Sequence, residues 1–583
     1  MPPTPDSGQP DGLPATWQIG SAHPDAPALA SNVGCSHLAA AIMLQRGIDD
    51  PAAANAFLNP AFSQLSGTGS LPDIDLATDR IARAIGQGER ICIHGDYDSD
   101  GVTSTALWSR LLHRLNADVH AYVPHRRRDG YDLRAAFVES ARERGAKLII
   151  TTDCGIQRVD EVEQATKAGI DVIITDHHEP GDTIPEAVAV VNPRRHDSVY
   201  PFPALAGVGV AFRVGEALVE RMGHPVDLYR RKFVDLAAIG TVTDIMPLVS
   251  ENRVIVAEGL KVLPSTGKRG LRALMRAAGI REGDPMVARS ISHMLGPRLN
   301  AIGRLDDSRI ALDLLTTNDD DVAESLASRI EQANKDRREE ERRIFEEADA
   351  QARERDLDAT GCLVLAGMGW HSGVIGIVAN RMVERYNRPT VMIAIDGPRG
   401  VGRGSARSMG AFDMRGALCE CADLLIEFGG HAHAAGLDIE PDQIAPFTER
   451  INEVARERLT PADLEPRTLV DMSVDAREFT MESVVDLERL APWGLANPEP
   501  VFAVQNLTVT HAGTCGRERN HLRVRLRAGD GSELDCRWWG GGHMADRVRQ
   551  GTRWHVCGNV RLDTWRDITS VLMTIKDMQP AGA

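Results

Sequence analysis

His94, Asp96, Asp98 and Asp100 occupy alternate positions in the stretch Ile91-Cys92-Ile93-His94-Gly95-Asp96-Tyr97-Asp98-Ser99-Asp100-Gly101. Three carboxylates so spaced repel one another, and a hard divalent cation is the usual neutraliser. A solvated Asp/Gly turn is the plain alternative, and a calcium-binding EF-hand loop is a sharper one. The EF-hand fails at loop position twelve, where a bidentate glutamate is needed and Leu107 stands. The flanking pattern also differs. Ile91 and Ile93 alternate as a short buried strand, and after Gly101 the apolar residues Val102, Ala106, Leu107, Leu111 and Leu112 recur at helical spacing. A metal site at a strand end is the reading these residues support.

The elements that must position such a site follow in the chain. Apolar runs at 118–123, 146–152, 171–175 and 186–191 alternate with helical segments, which reads as a parallel sheet covered by helices. Such sheets bind ligands beyond the carboxyl ends of their strands. Polar residues gather there: Thr151-Thr152-Asp153-Cys154-Gly155 after one run, and Thr175-Asp176-His177-His178 after the next. A helix over 233–239 leads into Gly240-Thr241-Val242-Thr243-Asp244. Each alone could be a helix cap or an incidental pair. Jointly they place carboxylates and imidazoles on one sheet edge, a donor set that suits Mn²⁺, or Mg²⁺ where oxygen ligands dominate.

The set His94 to Gly101, Asp153, Asp176-His177-His178 and Asp244 resembles the four motifs of the DHH phosphoesterase superfamily. The resemblance implies two Mn²⁺ or Mg²⁺ ions and hydrolysis of phosphoester or phosphoanhydride bonds. Carried over, His94 and Asp98 belong to one metal, Asp100, His177 and Asp244 to the other, and Asp153 bridges. Adjacent side chains diverge at a strand end, so His178 faces the substrate phosphate rather than sharing a metal with His177. Asp96 is expected as a supporting catalytic residue beside the ligands. Gly296-Pro297-Arg298-Leu299-Asn300-Ala301-Ile302-Gly303-Arg304 is similar to a signature of the RecJ branch, the single-strand-specific 5′→3′ DNA exonucleases. There arginine is expected to grip backbone phosphate, with Asn300 and Arg304 on the substrate. Arg126, within Pro124-His125-Arg126-Arg127-Arg128, is expected at the mouth of the sheet.

Residues 319–355 are almost continuously charged and lack Gly and Pro, as befits a long exposed connector helix. Three stretches follow: Gly369-Trp370-His371-Ser372-Gly373, Gly402-Arg403-Gly404-Ser405-Ala406-Arg407-Ser408 and Gly429-Gly430-His431-Ala432-His433. Their order resembles the DHHA1 domain of the same superfamily. Small residues let backbone N–H groups face an anion, and Trp370, His371, Ser405, Arg407, His431 and His433 are the expected substrate contacts. From 466 onward five short strands (501–510, 521–527, 534–539, 554–562 and 567–578) suggest a small barrel. Leu522, Val524 and Leu526 alternate with Arg523, Arg525 and Arg527, and Trp538, Trp539, Trp554 and Trp565 lie nearby. Bases stacking on aromatics while arginine tracks the backbone would make this an OB-fold nucleic-acid-binding domain.

The expected architecture is therefore α/β: an N-terminal segment (1–74), a parallel-sheet DHH catalytic domain (75–318), a connector helix (319–355), an α/β DHHA1 domain (356–465) and a β-barrel OB-fold (466–583). A length of 583 residues accommodates three to four domains. The net charge of −17 argues against nucleic-acid binding through the whole surface but leaves room for a local basic groove. Nine cysteines without a Cys-x-x-Cys pair indicate neither zinc ribbon nor disulfide framework. With no signal-like or membrane-spanning stretch, a cytoplasmic monomer is expected. The absence of a Gly-x-x-x-x-Gly-Lys-Ser/Thr motif speaks against ATP hydrolysis. The resemblance implies two-metal hydrolysis of single-stranded DNA to 5′-mononucleotides, in a channel between the DHH and DHHA1 domains. A single-strand-binding protein and a helicase are candidate partners. The rivals are a DHH phosphatase for short oligonucleotides, which would need no third domain, and an inactive single-strand-binding scaffold, which would not need the full ligand set.

Overall fold

The computed structural model describes residues 16–126, 128–130, 132–395, 397, 400–565 and 568–582. Arg127, within the basic run, and positions 566 and 567, at the start of the last expected strand, lie outside these. So do residues 1–15 of the N-terminal segment and the side chain of Trp565. The chain divides into two compact units. The first comprises mainly His23–Asn334 together with Val485–Glu499, and the second Lys335–Val484 and the chain from Pro500 onward.

The first unit begins with three helices, Ala26–Val33, His37–Gln45 and Pro51–Leu58. Ser36 and Asp50 cap the second and third by accepting from the amides of Ala39 and Ala53. No single helix among the described residues is long and apolar enough to cross a membrane. The amphipathic helix Ile74–Gln87 ends at Gly88 in the left-handed region (φ 67°) and feeds the strand Arg90–Gly95. That strand lies inside a five-stranded sheet, between Asp118–Tyr122 and Leu148–Thr152, with Asp171–Thr175 and Ala189–Val191 beyond. All neighbouring pairs are parallel.

Both sheet faces are covered, which is why the strands are apolar at nearly every position. Ile91, Ile93, Leu148, Ile150 and Ile173 point into the larger core, shared with the helices Ser99–Arg114, Gly207–Arg221 and Val226–Thr243. Cys92, Ile149, Val172 and Ile174 point into a smaller one with Phe137, Val138 and Val162. In register, His94 pairs with Thr151 and Thr152 with Thr175. Asp153 and Asp176 therefore leave adjacent strands at the same level.

Residues Val485–Glu499 belong to this first unit, although the sequence pattern groups them with the C-terminal barrel. Their anchor is Arg253, 2% exposed, whose guanidinium donates to the carbonyls of Phe57, Arg489, Leu490 and Ala491. It also lies 3.7 Å over the Phe57 ring.

The connector is a single helix, Asp320–Arg353, of 34 residues. Pairs such as Arg337–Glu341 and Arg343–Glu347 lace its polar surface at i,i+4 spacing. In the second unit a mixed five-stranded sheet runs in the order Glu427–Gly430, Ala434–Ile439, Gly402–Arg407, Thr390–Ile395, Leu363–Met368, and only the last pair is parallel. The helices Ile375–Tyr386 and Ile444–Arg458 accompany it. The barrel strands are Phe502–Cys515, His521–Arg527, Glu533–Trp538, Arg553–Trp565 and Ile568–Pro580. Pairing of the first with the fourth, and of the third with the fifth, closes it.

Candidate metal centre and substrate-binding residues

The turn after Arg90–Gly95 is tight: a Cβ on Gly101 would lie 2.5 Å from the Asp96 backbone nitrogen. Asp98 caps the helix Ser99–Arg114, its Oδ1 accepting from the amides of Asp100 (2.9 Å) and Gly101 (3.0 Å). Asp100, buried, accepts from Gly207 (2.7 Å, on Oδ2) and Val208 (2.9 Å, on Oδ1), the first amides of the helix Gly207–Arg221. Asp153 follows its strand with φ 63°, an uncommon conformation for a non-glycine residue. A Cβ on Gly207 would sit 2.4 Å from Asp153 Oδ1, so glycine is required there. Asp244 stands at the C-terminus of the helix Val226–Thr243.

His177 Nε2 lies 3.0 Å from Asp153 Oδ1, 3.7 Å from Asp244 Oδ2 and 4.0 Å from Asp100 Oδ2. Burial first, then the neighbouring His178, push the His177 pKa down to about 3, so the ring is neutral. Burial, then neighbouring carboxylates, do the reverse to the acids. Asp100 rises to about 7 and Asp244 to about 9, while Asp96 and Asp153 stand well above the ordinary carboxylate range. Asp153 Oδ1 is buried and accepts no hydrogen bond from the described residues. A neutral imidazole and several carboxylates converging with their lone pairs on a common volume fit divalent cations better than protons.

Three groups of side chains bring ligand atoms within 4.8 Å of one another: Asp100 with His177 and Asp244, Asp96 with Asp98 and Asp153, and Asp153 with His177 and His178. The first is the trio expected on one metal. In the second, Asp96 stands where the sequence places His94. His94 is buried, 4.5 Å edge-on to Phe137, with Nδ1 3.6 Å from Cys154 Sγ, and lies outside these three groups. Burial lowers its pKa to about 4, so it too is neutral.

His178 is oriented by a residue to which sequence reasoning assigned no role. Asp176 Oδ1 lies 2.8 Å from His178 Nδ1 and also accepts from the amides of His177 and His178, while Oδ2 accepts from Ile156. Its place in the Asp-His-His triplet was visible, but its direction was not. The amides of Gly207 and Val208 on Asp100 left no sequence signal at all.

Arg126 is exposed and lies 5.4 Å over the Tyr97 ring; burial holds the Tyr97 pKa above its ordinary value, opposed by the charges of Arg126 and Arg304. Asn300 is turned inward: its Oδ1 accepts from Ser99 N (2.9 Å) and Oγ (2.8 Å). Arg298, an arginine of the same signature, is buried and donates to Glu331 and the Met294 carbonyl.

In the second unit Trp370, expected as a substrate contact, packs in the interior. Its ring is 4% exposed, packed where a Cβ on Gly367 would fall, with Nε1 donating to Glu347. His371 Nδ1 accepts from Gly373 N. Ser405 Oγ and Arg407 Nη2 lie 2.8 and 3.1 Å from where a Cβ on Gly376 would stand, near the start of Ile375–Tyr386. A hydroxyl, a guanidinium and a helix N-terminus thus converge. His431 and His433 are exposed on the turn before Ala434–Ile439, whose first residue pairs with Arg407.

On the barrel, Leu522, Val524 and Leu526 are buried and Arg523, Arg525 and Arg527 exposed, as alternation requires. Two arginines meet acids across the strand pair, Arg525 on Asp535 (2.9 Å) and Arg527 on Glu533 (2.7 Å). The face is consequently less basic than His521–Arg527 suggests by itself. Trp554 is core; Trp538 and Trp539 are half-buried beside His543 and His521.

A parallel sheet whose carboxyl edge gathers these acids and imidazoles defines the class, a DHH phosphoesterase. The model of the DHH family N-terminal domain matches residues 90–241, the DHHA1 domain 359–457 and the RecJ OB domain 470–577. The single-stranded-DNA-specific exonuclease RecJ of Bacillus subtilis is 37% identical over 562 residues, covering 96% of this chain and 70% of that protein. That of Salmonella typhimurium is 39% identical over 460 residues, covering 76% and 78%. The crystal structure of RecJ in complex with Mn²⁺ from Thermus thermophilus superposes with a TM-score of 0.82 at 29% identity, over 97% of this chain and 80% of that one. The chain belongs to the RecJ family.

Proposed function

We propose that this protein is a single-stranded-DNA-specific exonuclease that works 5′→3′ and releases 5′-mononucleotides. The observation that carries the reading is the convergence of Asp153, Asp244 and Asp100 on Nε2 of neutral His177. Asp96, Asp98, Asp100, Asp153, His177 and Asp244, with His94 as a further candidate ligand, would hold two divalent ions. Bound Mn²⁺ or Mg²⁺ supplies positive charge and an acidified water for in-line displacement at phosphorus.

The protein's own groups set up the rest. His178 is held on Asp176, so its other nitrogen is directed away from that carboxylate and can donate to a phosphoryl oxygen. Arg126 and Arg304 offer planar donors for backbone phosphates near Tyr97. Ser405, Arg407 and the Gly376 amide region would bind the terminal 5′-phosphate, supported by His371, His431 and His433. The barrel adds grip on the strand. An enzyme confined to single strands needs duplex opened and protected, which supports a helicase and a single-strand-binding protein as partners, and a cytoplasmic location.

The test is end-labelled single- and double-stranded DNA and RNA incubated with Mn²⁺, Mg²⁺ or EDTA. Metal-dependent release of mononucleotides from the 5′ end of single-stranded DNA is expected. Equal attack on duplex, or cleavage in EDTA, would overturn the reading.

A further inference from the structure

We propose that the helix Gly296–Leu305 acts as a spacer that sets the distance between the two metal subsites, with Asn300 as its positioning residue. The inference rests on the reading above that Asp98, Asp100 and Asp244 are ligands.

Gly296, Asn300 and Gly303 follow i, i+4, i+7 spacing and share one face of the helix. At the far end of that face, Gly303 meets the Asp96–Asp100 turn, since a Cβ there would lie 2.9 Å from the Tyr97 carbonyl. In the middle, Asn300 Oδ1 accepts from both the amide and the hydroxyl of Ser99. At the near end, a Cβ on Gly296 would lie 2.5 Å from Thr243 Cγ2, one residue before Asp244. One rigid element, about 10 Å from Gly296 to Gly303 at 1.5 Å per residue, therefore touches both Asp98/Asp100 and Asp244 through their chain neighbours.

The amides at the start of Ser99–Arg114 show why Asn300 matters. An α-helix leaves its first four N–H groups without internal partners. Of these, Asp98 Oδ1 takes those of Asp100 and Gly101, and Asn300 Oδ1 takes that of Ser99. Because Ser99 lies between two proposed ligands, losing this acceptor would free the turn that aims both carboxylates. Leu299 and Ile302, both buried, anchor the helix in the core.

The experiment uses the full chain and Mn²⁺, followed by electron paramagnetic resonance, because the exchange-coupled signal of a Mn²⁺ pair depends on the distance between the ions. The wild type should take up two ions and show a coupled signal. Asn300→Ala should keep its cooperative melting but weaken the second ion at least ~10-fold and alter the coupled signal. Asn300→Asp, which retains an acceptor for Ser99, should restore the signal. If Asn300→Ala leaves affinities and signal unchanged and weakens only single-stranded DNA binding, Asn300 is a substrate contact and the spacer reading is wrong. Should Asn300→Ala not fold, Gly296→Ala decides: it should disturb the coupled signal, and adding Thr243→Ser, which removes the opposing methyl, should restore it. No disturbance overturns the proposal. Failure of the wild type to bind two ions would instead overturn the metal reading on which it rests.

Discussion

The Asp176 carboxylate and the His178 imidazole stand 2.8 Å apart, Oδ1 to Nδ1. Burial alone would lower the His178 pKa, but the bond to Asp176 and its charge, then those of Asp244 and Asp96, raise it to about 9. Asp176 moves the other way, to about 2, because the same bond and charge outweigh burial. His178 is thus an imidazolium at neutral pH in the metal-free protein. Its raised pKa contributes stability that is fully present below about pH 6.5, its unfolded value, and is lost as pH rises through about 9. The Asp176 contribution is present above about pH 3.8 and is lost as pH falls through about 2. An NMR titration of the metal-free protein should find one histidine titrating far above the rest. Asp176→Asn should bring that resonance back toward, or below, the ordinary histidine range; an unmoved resonance would separate the two residues.

Asp153→Ala should retain single-stranded DNA binding while cutting at least ~10³-fold more slowly, the scale of lost transition-state charge stabilisation. Its central place next to both other acid groups motivates this. Near-normal turnover with Mn²⁺ would exclude it as a bridging ligand.

Arg253 ties Val485–Glu499 to the rest of the first unit through the carbonyls of Arg489, Leu490 and Ala491. A chain ending at Glu499 should keep a cooperatively melting catalytic unit, whereas one ending at Glu465 strips Arg253 of three acceptors and should melt earlier. Arg253→Ala leaves buried carbonyls unsatisfied and should cost about 3 kcal/mol or more. Equal melting of the two truncations would show that the segment is dispensable.

Strands bearing a 5′-phosphate should be cut faster than 5′-hydroxyl strands, because a terminal phosphate carries about −1.5 to −2 charge against −1 for a diester. Arg407→Ala should shrink this ratio without altering Mn²⁺ affinity, since Arg407 lies with Ser405 and Gly376 in the second unit. Initial rates on the two ends measure it, and an unchanged ratio would move end recognition to Arg126 or Arg304.

On the barrel, Arg523 should matter more than Arg525. Arg525 is paired with Asp535, whereas the residue across from Arg523 is Arg537. Arg523→Ala should flatten the dependence of log K on log salt by roughly 0.7, as expected for one lost phosphate contact on a single strand. Arg525→Ala should change the slope less; the opposite ranking would mean that DNA displaces the Asp535 pair.

The sequence by itself determined the parallel sheet, the edge at which its acids and imidazoles gather, the long charged connector and the two-faced barrel strand. Each of these follows from local periodicity and composition, which a linear pattern records. Tertiary structure decided what depends on register, backbone dihedral and approach of distant segments. It brought Asp96 within reach of Asp98 and Asp153 and packed the His94 ring edge-on to Phe137. It turned Asn300 toward Ser99 and sank Arg298 and Trp370 into the interior. It cancelled much of the barrel's basic face by setting Asp535 and Glu533 opposite arginines. Motif spacing shows that such residues matter, but a side chain's partner is chosen by segments that can lie two hundred or more positions away, as Ser99 and Asn300 do.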